Sequence, residues 1–583
     1  MFRRTVLSVA LLAVVGSVVA AGTVASADPH GGGVTGRFDR PQDGFAPART
    51  VLRTGSPRSV GLDPAPIEAA QDKIDAWTEP NPASGHPLFA GAVGLLAHDG
   101  VVVKRATAGY ALRYADAAGT ELPDADKVPM RTDTIFDMAS VSKLFTSIAV
   151  MQLADAGEVD VNAPAATYLP EFGVNGKESI TVAQLLTHTS GLVSWLPLWS
   201  AYPDPPSRIK AVMDVAPHNP PGSTYEYSDL NLITLGVLVE RVTGKTLDKV
   251  VAERITGPLH MVDTGYNPPA SKLDRIAATE YEASPPRGMV RGSVHDENAW
   301  SLGGVAGHAG VFSTAGDMAI LAQTILNGGT YRGHRILREQ TVQSMIDNYN
   351  QNFPGDDHGY GFELNQMWYM GGLSGPHTAG HTGYTGTDVV IDPASRSFAI
   401  LLTNRVHPSR NWGSINLARE TWCTGLAKAL AVKPRHGRDA WYTGIGDASQ
   451  ATLTGAALQP DGPVRVNFDA FVDSESTDFL VLEASTDGTS WTRVPMDVEG
   501  TGAPDETVES LSGSGHRSWW KVDVRIPHAA EITLRWRFTT DARYTGRGIF
   551  LDRILVTDGV RTLLNGEKEP HKLQADGWSL GSR

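Results

Sequence analysis

The sequence predicts an α+β domain, with an antiparallel sheet flanked by helices, followed by an all-β sandwich, and three observations carry that prediction. A hairpin pattern stands early in the chain, "FAGAVGLLAHDGVVVKRATAGYA" at 89–111, with His98-Asp99-Gly100 between two β-rich runs. A second pair of strands stands late, "GTDVVIDPASRSFAILLTNR" at 386–405, and helical patterns fill the interval, so the sheet is expected to draw on both ends of the domain. Beyond about residue 455 the apolar residues alternate strictly, as Val464, Val466 and Phe468 in one stretch and Ile532, Leu534, Trp536 and Phe538 in another.

Local rules justify each element in chain order. Residues 1–27 place Arg3 and Arg4 before an apolar run that closes on Ala25-Ser26-Ala27, the small-x-small form of a signal-peptidase site, so they are expected to be a signal peptide cleaved after Ala27. Glycines inside that run and Asp28-Pro29 just after it argue against a retained anchor, and the arginine pair leaves the general and twin-arginine export routes both open. Residues 28–55, rich in Gly, Pro and Arg, read as a flexible leader. "LDPAPIEAAQDKIDAW" at 62–77 is an amphipathic helix with Asp63 as N-cap, opening a domain that spans 56–435. "FDMASVSKLFTSIAVMQLADAG" at 136–157 contains a helix apolar on almost every side, and "NWGSINLARETWCTGLAKALA" at 411–431 is the last helix. A linker at 436–455 leads to the sandwich at 456–583, where "LEASTDGTSWTRV" turns at Asp487-Gly488.

Composition bounds the function. A chain of 583 residues exceeds one ordinary domain, and 41% hydrophobic with 20% charged residues supplies a sizeable core. No stretch past the signal approaches the roughly 18 apolar residues of a membrane span. The formal charge is −14, and −16 once the two signal arginines are removed, which repels nucleic acid and anionic lipid, so neither is an expected partner. The single cysteine, Cys423, can form no intrachain disulfide and sits among Thr421, Trp422 and Leu426 as a small core residue.

Four stretches can carry chemistry. Ser140 and Lys143 lie three apart, on one helix face, and a buried amine costs several kcal/mol unless something pairs with it. They read either as a nucleophile with its base or, more plainly, as an N-cap serine and a surface lysine. Tyr227 and Asp229 precede an apolar helix and read as a proton shuttle and an amine partner, or as a packing aromatic and an N-cap. His381-Thr382-Gly383 leads a β-rich run, either as a turn or as a strand edge that approaches a bound carbonyl. His295, Asp296 and Glu297 stand together with His308 further on, but their spacing matches no zinc pattern, and no metal or other cofactor is expected.

The ordered set Ser140-Val-Ser-Lys143, Tyr227-Ser-Asp229 and His381-Thr382-Gly383, with "ITVAQLLTHTSGL" at 180–192 and "GGVAGHAGVFSTAGDMAILAQTILNGG" at 303–329, resembles the penicillin-recognising serine hydrolases. These include class C β-lactamases, D,D-carboxypeptidases, D-aminopeptidases and related esterases. The resemblance implies a sheet domain beside a mostly helical lobe, with the site between them. It implies that Ser140 forms an acyl-enzyme, Lys143 helps activate it and Tyr227 shuttles the proton. The N–H groups of Ser140 and Tyr384 would form the oxyanion hole, and His381 and Thr382 would line the cleft beside Gly383. Two residues depart from the commonest pattern: Asp229 replaces an asparagine and should favour the charged form of Lys143, and His381 replaces a lysine, which weakens the case for an efficient β-lactamase. "VHDENA" segments accompany "GGVAGHAG" in cell-wall-associated relatives, which implies a loop bordering the cleft. "GRGIFLDRILV" resembles the final strand of jelly-roll modules on secreted hydrolases. Trp491, Trp519, Trp520 and Trp536 there read as core, with a sugar-binding platform as the rival. The expectation is a secreted serine hydrolase acting on small-molecule or peptidoglycan-derived amides or esters, with polymer or cell-wall contact through the sandwich. The rivals are a small-ester carboxylesterase, a β-lactamase and an inactive penicillin-binding scaffold.

Overall fold

The computed structural model describes residues 36–559 and 561–582, so the expected signal peptide lies outside the described residues. The α+β region is built on an eight-stranded sheet. Its strands are β1 (Arg53–Thr54), β2 (Gly91–His98), β3 (Val101–Leu112), β4 (Val128–Pro129), β5 (Glu363–Leu364), β6 (Ala379–Thr382), β7 (Thr387–Asp392) and β8 (Ser397–Thr403). They run in the order β1-β3-β2-β8-β7-β6-β5, with β4 added to β3. All pairs are antiparallel except β1 on β3. The early hairpin and the late one meet where β2 pairs β8, with Leu95 opposite Ile400. Asp99 and Gly100 both take positive φ, 46° and 74°, as the tight turn between β2 and β3 requires.

The helices that position the site are α1 (Pro64–Ala76), α2 (Ser142–Asp155), α3 (Asp229–Thr243), α4 (Ala315–Leu326) and α5 (Asn416–Ala429). Asp63 caps α1 by accepting the Ala65 N–H at 3.0 Å. Val93, Leu95 and Ala97 of β2 join one core with α2, α3 and α4, while Ala92 and Leu96 join another with α1 and α5. A strand covered on both faces needs a continuous apolar run, which is why β2 shows no alternation. Cys423 is buried in the second core. Among the described residues no helix is long and apolar enough to cross a membrane.

Three expectations change. The leader is packed from residue 36 onward: Phe38 is fully buried, Phe45 and Leu52 pack on the first core, and β1 pairs with the edge of the sheet, so a few apolar anchors and backbone hydrogen bonds dock a segment whose composition reads as loose. The linker supplies two strands of the sandwich, Ala440–Thr443 and Gln450–Gly455, one for each of its two sheets. The "GRGIFLDRILV" strand, Gly548–Asp558, is not terminal but lies between Val464–Asp473 and Ala440–Thr443, and three short strands follow it. Trp520 and Trp536 are core, and Trp519 packs on Phe471 and Phe550.

The sandwich docks on the α1–α5 side. Phe471 and Phe550 enter the same apolar cluster as Phe38. Arg517 bonds Asp392 of β7 at 2.7 Å with both side chains at most 2% exposed, and its guanidinium lies 4.3 Å from the Phe38 ring centre.

Candidate active site

Ser140 is not a helix cap. It sits in a tight turn, Ala139–Val141, just before α2, and Ala139 holds φ at +45°, a conformation that costs a non-glycine residue about 1–2 kcal/mol. Neighbours hold the turn in place. The buried Asp137 carboxylate accepts the N–H groups of Ala139 at 2.9 Å and His295 at 2.6 Å. Thr385 and Thr387 donate their hydroxyls to the carbonyls of Asp137 and Met138 at 2.7 and 3.0 Å. Gly383 is required by this contact, since a Cβ there would stand 2.4 Å from Met138 O and 2.1 Å from Thr387 Oγ1. The glycine lets the end of β6 close against the turn that carries the serine.

Lys143 is the second residue of α2 and is 1% exposed. Its Nζ is 2.8 Å from Ser140 Oγ, 2.8 Å from Asp229 Oδ1, 3.2 Å from His308 O and 4.8 Å from the Tyr227 ring centre. Burial by itself lowers the pKa of this amine, but the Asp229 carboxylate, and after it Tyr227, reverse that and hold it above the ordinary lysine range. Asp229 is the first residue of α3 rather than its cap; Ser228 takes the cap position without a side-chain cap bond, and the aspartate turns to the amine instead. Burial pushes the Tyr227 phenol up to about 12 against the pull of Lys143. The resting site therefore holds an ammonium, a carboxylate and a neutral phenol.

The "LLTHTSGL" stretch forms the seat of Tyr227. The His188 ring stacks on the phenol with centres 4.5 Å apart. Its Nδ1 accepts the Ser228 N–H at 3.0 Å, and burial keeps the imidazole neutral by driving its pKa well down. The Ser228 hydroxyl donates to Val193 O at 2.7 Å, and the Asp229 N–H to Ser194 O at 2.9 Å. His188 was not singled out from sequence, although the motif that contains it was.

His381, on β6, donates Nδ1–H to Thr382 O at 2.8 Å, which leaves Nε2 as an acceptor. Burial, then Lys143, pushes its pKa down to about 3, so the ring is neutral. Its centre lies 6.1 Å from that of Tyr227. The Tyr384 side chain is 54% exposed and stacks beside His295, and its N–H donates to no described protein group. Ser140, Lys143, Tyr227, Asp229, His381, Thr382, Gly383 and Tyr384 thus gather at one cleft.

Ser140, Tyr227 and Tyr384 line two cavities at once. One, of about 540 Å³, is walled by Thr382, Arg405, Asn416 and Arg419; the other, of about 420 Å³, by Trp195, Trp199, Asp296 and Arg410. The Arg405 guanidinium donates to Arg410 O at 3.1 and 3.2 Å and makes no ion pair with a described carboxylate. The "VHDENA" loop does border the cleft, but its residues diverge: His295 meets Glu280 at 2.9 Å, Asp296 meets His308 at 2.9 Å, and Glu297 meets Arg410 at 2.6 Å. Asp229, Asp296 and His308 do bring potential ligand atoms within 4.8 Å of one another. The Lys143 ammonium, bonded to Asp229 and to the His308 carbonyl, already supplies the positive charge there.

The profile of the Beta-lactamase family matches residues 76–419. The chain is 33% identical over 401 residues to the N-acetylmuramyl-L-alanine amidase of Bacillus subtilis (strain 168), covering 62% of this chain and 88% of that one. It is 32% identical over 393 residues to a protein of Escherichia coli (strain K12) named "Putative D-alanyl-D-alanine carboxypeptidase", covering 61% and 86%. A penicillin-binding protein homologue from Caulobacter crescentus superposes with a TM-score of 0.47 at 22% identity, over 63% of this chain and 97% of that one. The profile spans more than half of the chain and includes Ser140, Lys143, Tyr227, Asp229 and His381, so the protein belongs to the Beta-lactamase family of serine hydrolases.

Proposed function

We propose that the protein is an exported hydrolase that cleaves peptidoglycan-type peptide amides through an acyl-enzyme on Ser140, as a D,D-peptidase or amidase. The observation that carries this reading is the 2.8 Å contact between Ser140 Oγ and Lys143 Nζ where the two cavities meet. In the proposed reaction Ser140 attacks the carbonyl while its proton passes into the Lys143–Tyr227 pair, and Tyr227 delivers a proton to the leaving amine. The N–H groups of Ser140 and Tyr384 hold the oxyanion. The larger cavity suits a substrate that ends in a carboxylate, since Arg405 lines it as a cation without an ion pair. The names of the amidase and carboxypeptidase relatives support the same substrate class.

A second reading, a carboxylesterase, is favoured by His381: a neutral ring where β-lactamases of this family carry lysine attracts an anionic substrate group less. Labelling with a fluorescent penicillin and a phosphonate ester, followed by intact-mass analysis with D-alanyl-D-alanine peptides, separates these cases. Labelling by both probes together with peptide turnover supports the peptidase. Labelling by the phosphonate alone favours the esterase, and labelling by neither indicates an inactive scaffold. Contact of the sandwich with a wall polymer is a separate proposal, tested by sedimentation of the protein with isolated cell walls.

A further inference from the structure

Far from the serine, one group of side chains in the sandwich is left without electrostatic compensation. The loop between Val464–Asp473 and Phe479–Ser485 carries Glu475 and Asp478, and the turn after Thr533–Thr539 carries Asp541. One carboxylate oxygen from each lies within 4.8 Å of the others. No described lysine, arginine or histidine forms an ion pair with any of the three. Asp478 is fully buried; one of its oxygens accepts the Asp541 N–H at 2.7 Å, and the other, Oδ2, has no hydrogen-bond partner. The Thr477 hydroxyl lies 2.8 Å from Glu475 Oε1 and 3.0 Å from Asp541 Oδ2, and its single hydrogen can serve only one of them. A buried carboxylate beside two like charges is costly unless a cation joins them.

We propose that Glu475, Asp478 and Asp541 form a Ca²⁺ site. The donors are all oxygen, which selects a hard cation over zinc or copper. Three protein carboxylates suit the larger and geometrically tolerant Ca²⁺, whereas Mg²⁺ usually takes one or two and keeps its waters. Backbone carbonyls and water would complete the six to eight ligands that Ca²⁺ takes. Bound Ca²⁺ would tie the loop after Val464–Asp473 to the turn after Thr533–Thr539.

The test uses the full chain, stripped with a chelator and titrated with CaCl₂ by calorimetry and by thermal unfolding. The expected result is a Kd of about 10⁻⁴–10⁻³ M or tighter and a Tm that climbs with Ca²⁺ concentration, with Mg²⁺ at least about tenfold weaker. Asp478→Asn should weaken Ca²⁺ at least about tenfold while leaving the Tm in chelator equal to or above that of the unaltered protein, because the repulsion is relieved. A merely structural Asp478 would instead lower the Tm with or without Ca²⁺. Glu475→Gln, at a less buried position, should show the same loss and covers the case in which Asp478→Asn does not fold. Absence of binding and of any Tm shift up to about 10 mM Ca²⁺, or a shift unchanged in both variants, would overturn the site, and equal affinity for Mg²⁺ would overturn the choice of ion.

Discussion

Lys143 and Asp229 form an ion pair at 2.8 Å on the floor of the cleft, the amine 1% exposed and the carboxylate 19%. This contact accounts for a lysine inside a helix whose other residues are mostly buried: the carboxylate comes from a second helix, α3, and the serine lies one turn back. It also sets the charge state, because an ammonium donates to Ser140 Oγ and cannot take its proton. In the proposed mechanism turnover passes through a minor state in which the Lys143–Tyr227 pair holds one proton fewer, and the macroscopic pKa belongs to the pair.

Asp229→Asn tests that coupling. Removing the anion leaves burial as the main influence on Lys143, so its pKa falls and the proton-deficient state becomes more populated near neutrality. The alkaline rise of kcat/KM should move to lower pH by about one unit or more, each unit being about 1.4 kcal/mol. A pH–rate profile left where it was would show that Lys143 ionisation does not control acylation.

Lys143→Ala removes the partner of both Ser140 and Asp229. Acylation, followed by burst kinetics or mass, should slow by about 10²–10⁴-fold, the usual contribution of a positioned base. Asp229 is only partly buried, so water can solvate it and the fold should persist by circular dichroism. Turnover unchanged in a folded variant would remove Lys143 from the mechanism.

Gly383→Ala addresses the close approach of β6 to the serine turn. The new Cβ would collide with backbone at Met138 and with the Thr387 hydroxyl, and neither can swing away without moving Ser140 or the Tyr384 N–H. Overpacking of this kind costs about 1–3 kcal/mol of stability. A misplaced oxyanion donor costs about 10²–10³ in kcat, so kcat should fall more than KM rises.

Much of this was legible in the sequence. The hairpins at Asp99-Gly100 and at Pro393–Arg396 carry their own turn chemistry, and the spacing of Ser140 and Lys143 marks one helix face. What stayed hidden depends on packing between distant segments. Nothing local to residues 28–55 reveals that Phe38 finds a core made by Phe471 and Phe550, more than four hundred residues on. The "LLTHTSGL" stretch was visible as a motif, yet the stacking of His188 on Tyr227 exists only once the two loops meet. Nothing local to Arg405 reveals that it lines the cleft.

His381 should not titrate in the range where histidines usually do. Its folded pKa of about 3 lies below the unfolded value of 6.5, so between these the unfolded state binds the extra proton. The stability this ring contributes is fully present above 6.5 and is lost as the pH falls towards 3. NMR of the ring should show a neutral imidazole with Nδ1 protonated from about pH 8 down to about pH 5, and kcat/KM should show no inflection from it there. A ring that charges near 6.5 would contradict the burial seen here and would strengthen the case for an anionic substrate group.

Arg517 and Asp392 join the sandwich to β7 by a bidirectional dependence, since each is buried and each neutralises the other. Arg517→Ala leaves the Asp392 carboxylate without its counterion and removes the guanidinium from the Phe38 face, which should cost about 3–5 kcal/mol. Because the pair sits at the seam, the loss should split unfolding into two transitions in urea, one for each region, where the intact protein should show one. Arg517→Met combined with Asp392→Asn should recover more than half of the loss, because a neutral pair has no buried charge to strand. A single-variant cost near zero would mean that the apolar contacts of Phe38, Phe471 and Phe550 hold the seam alone.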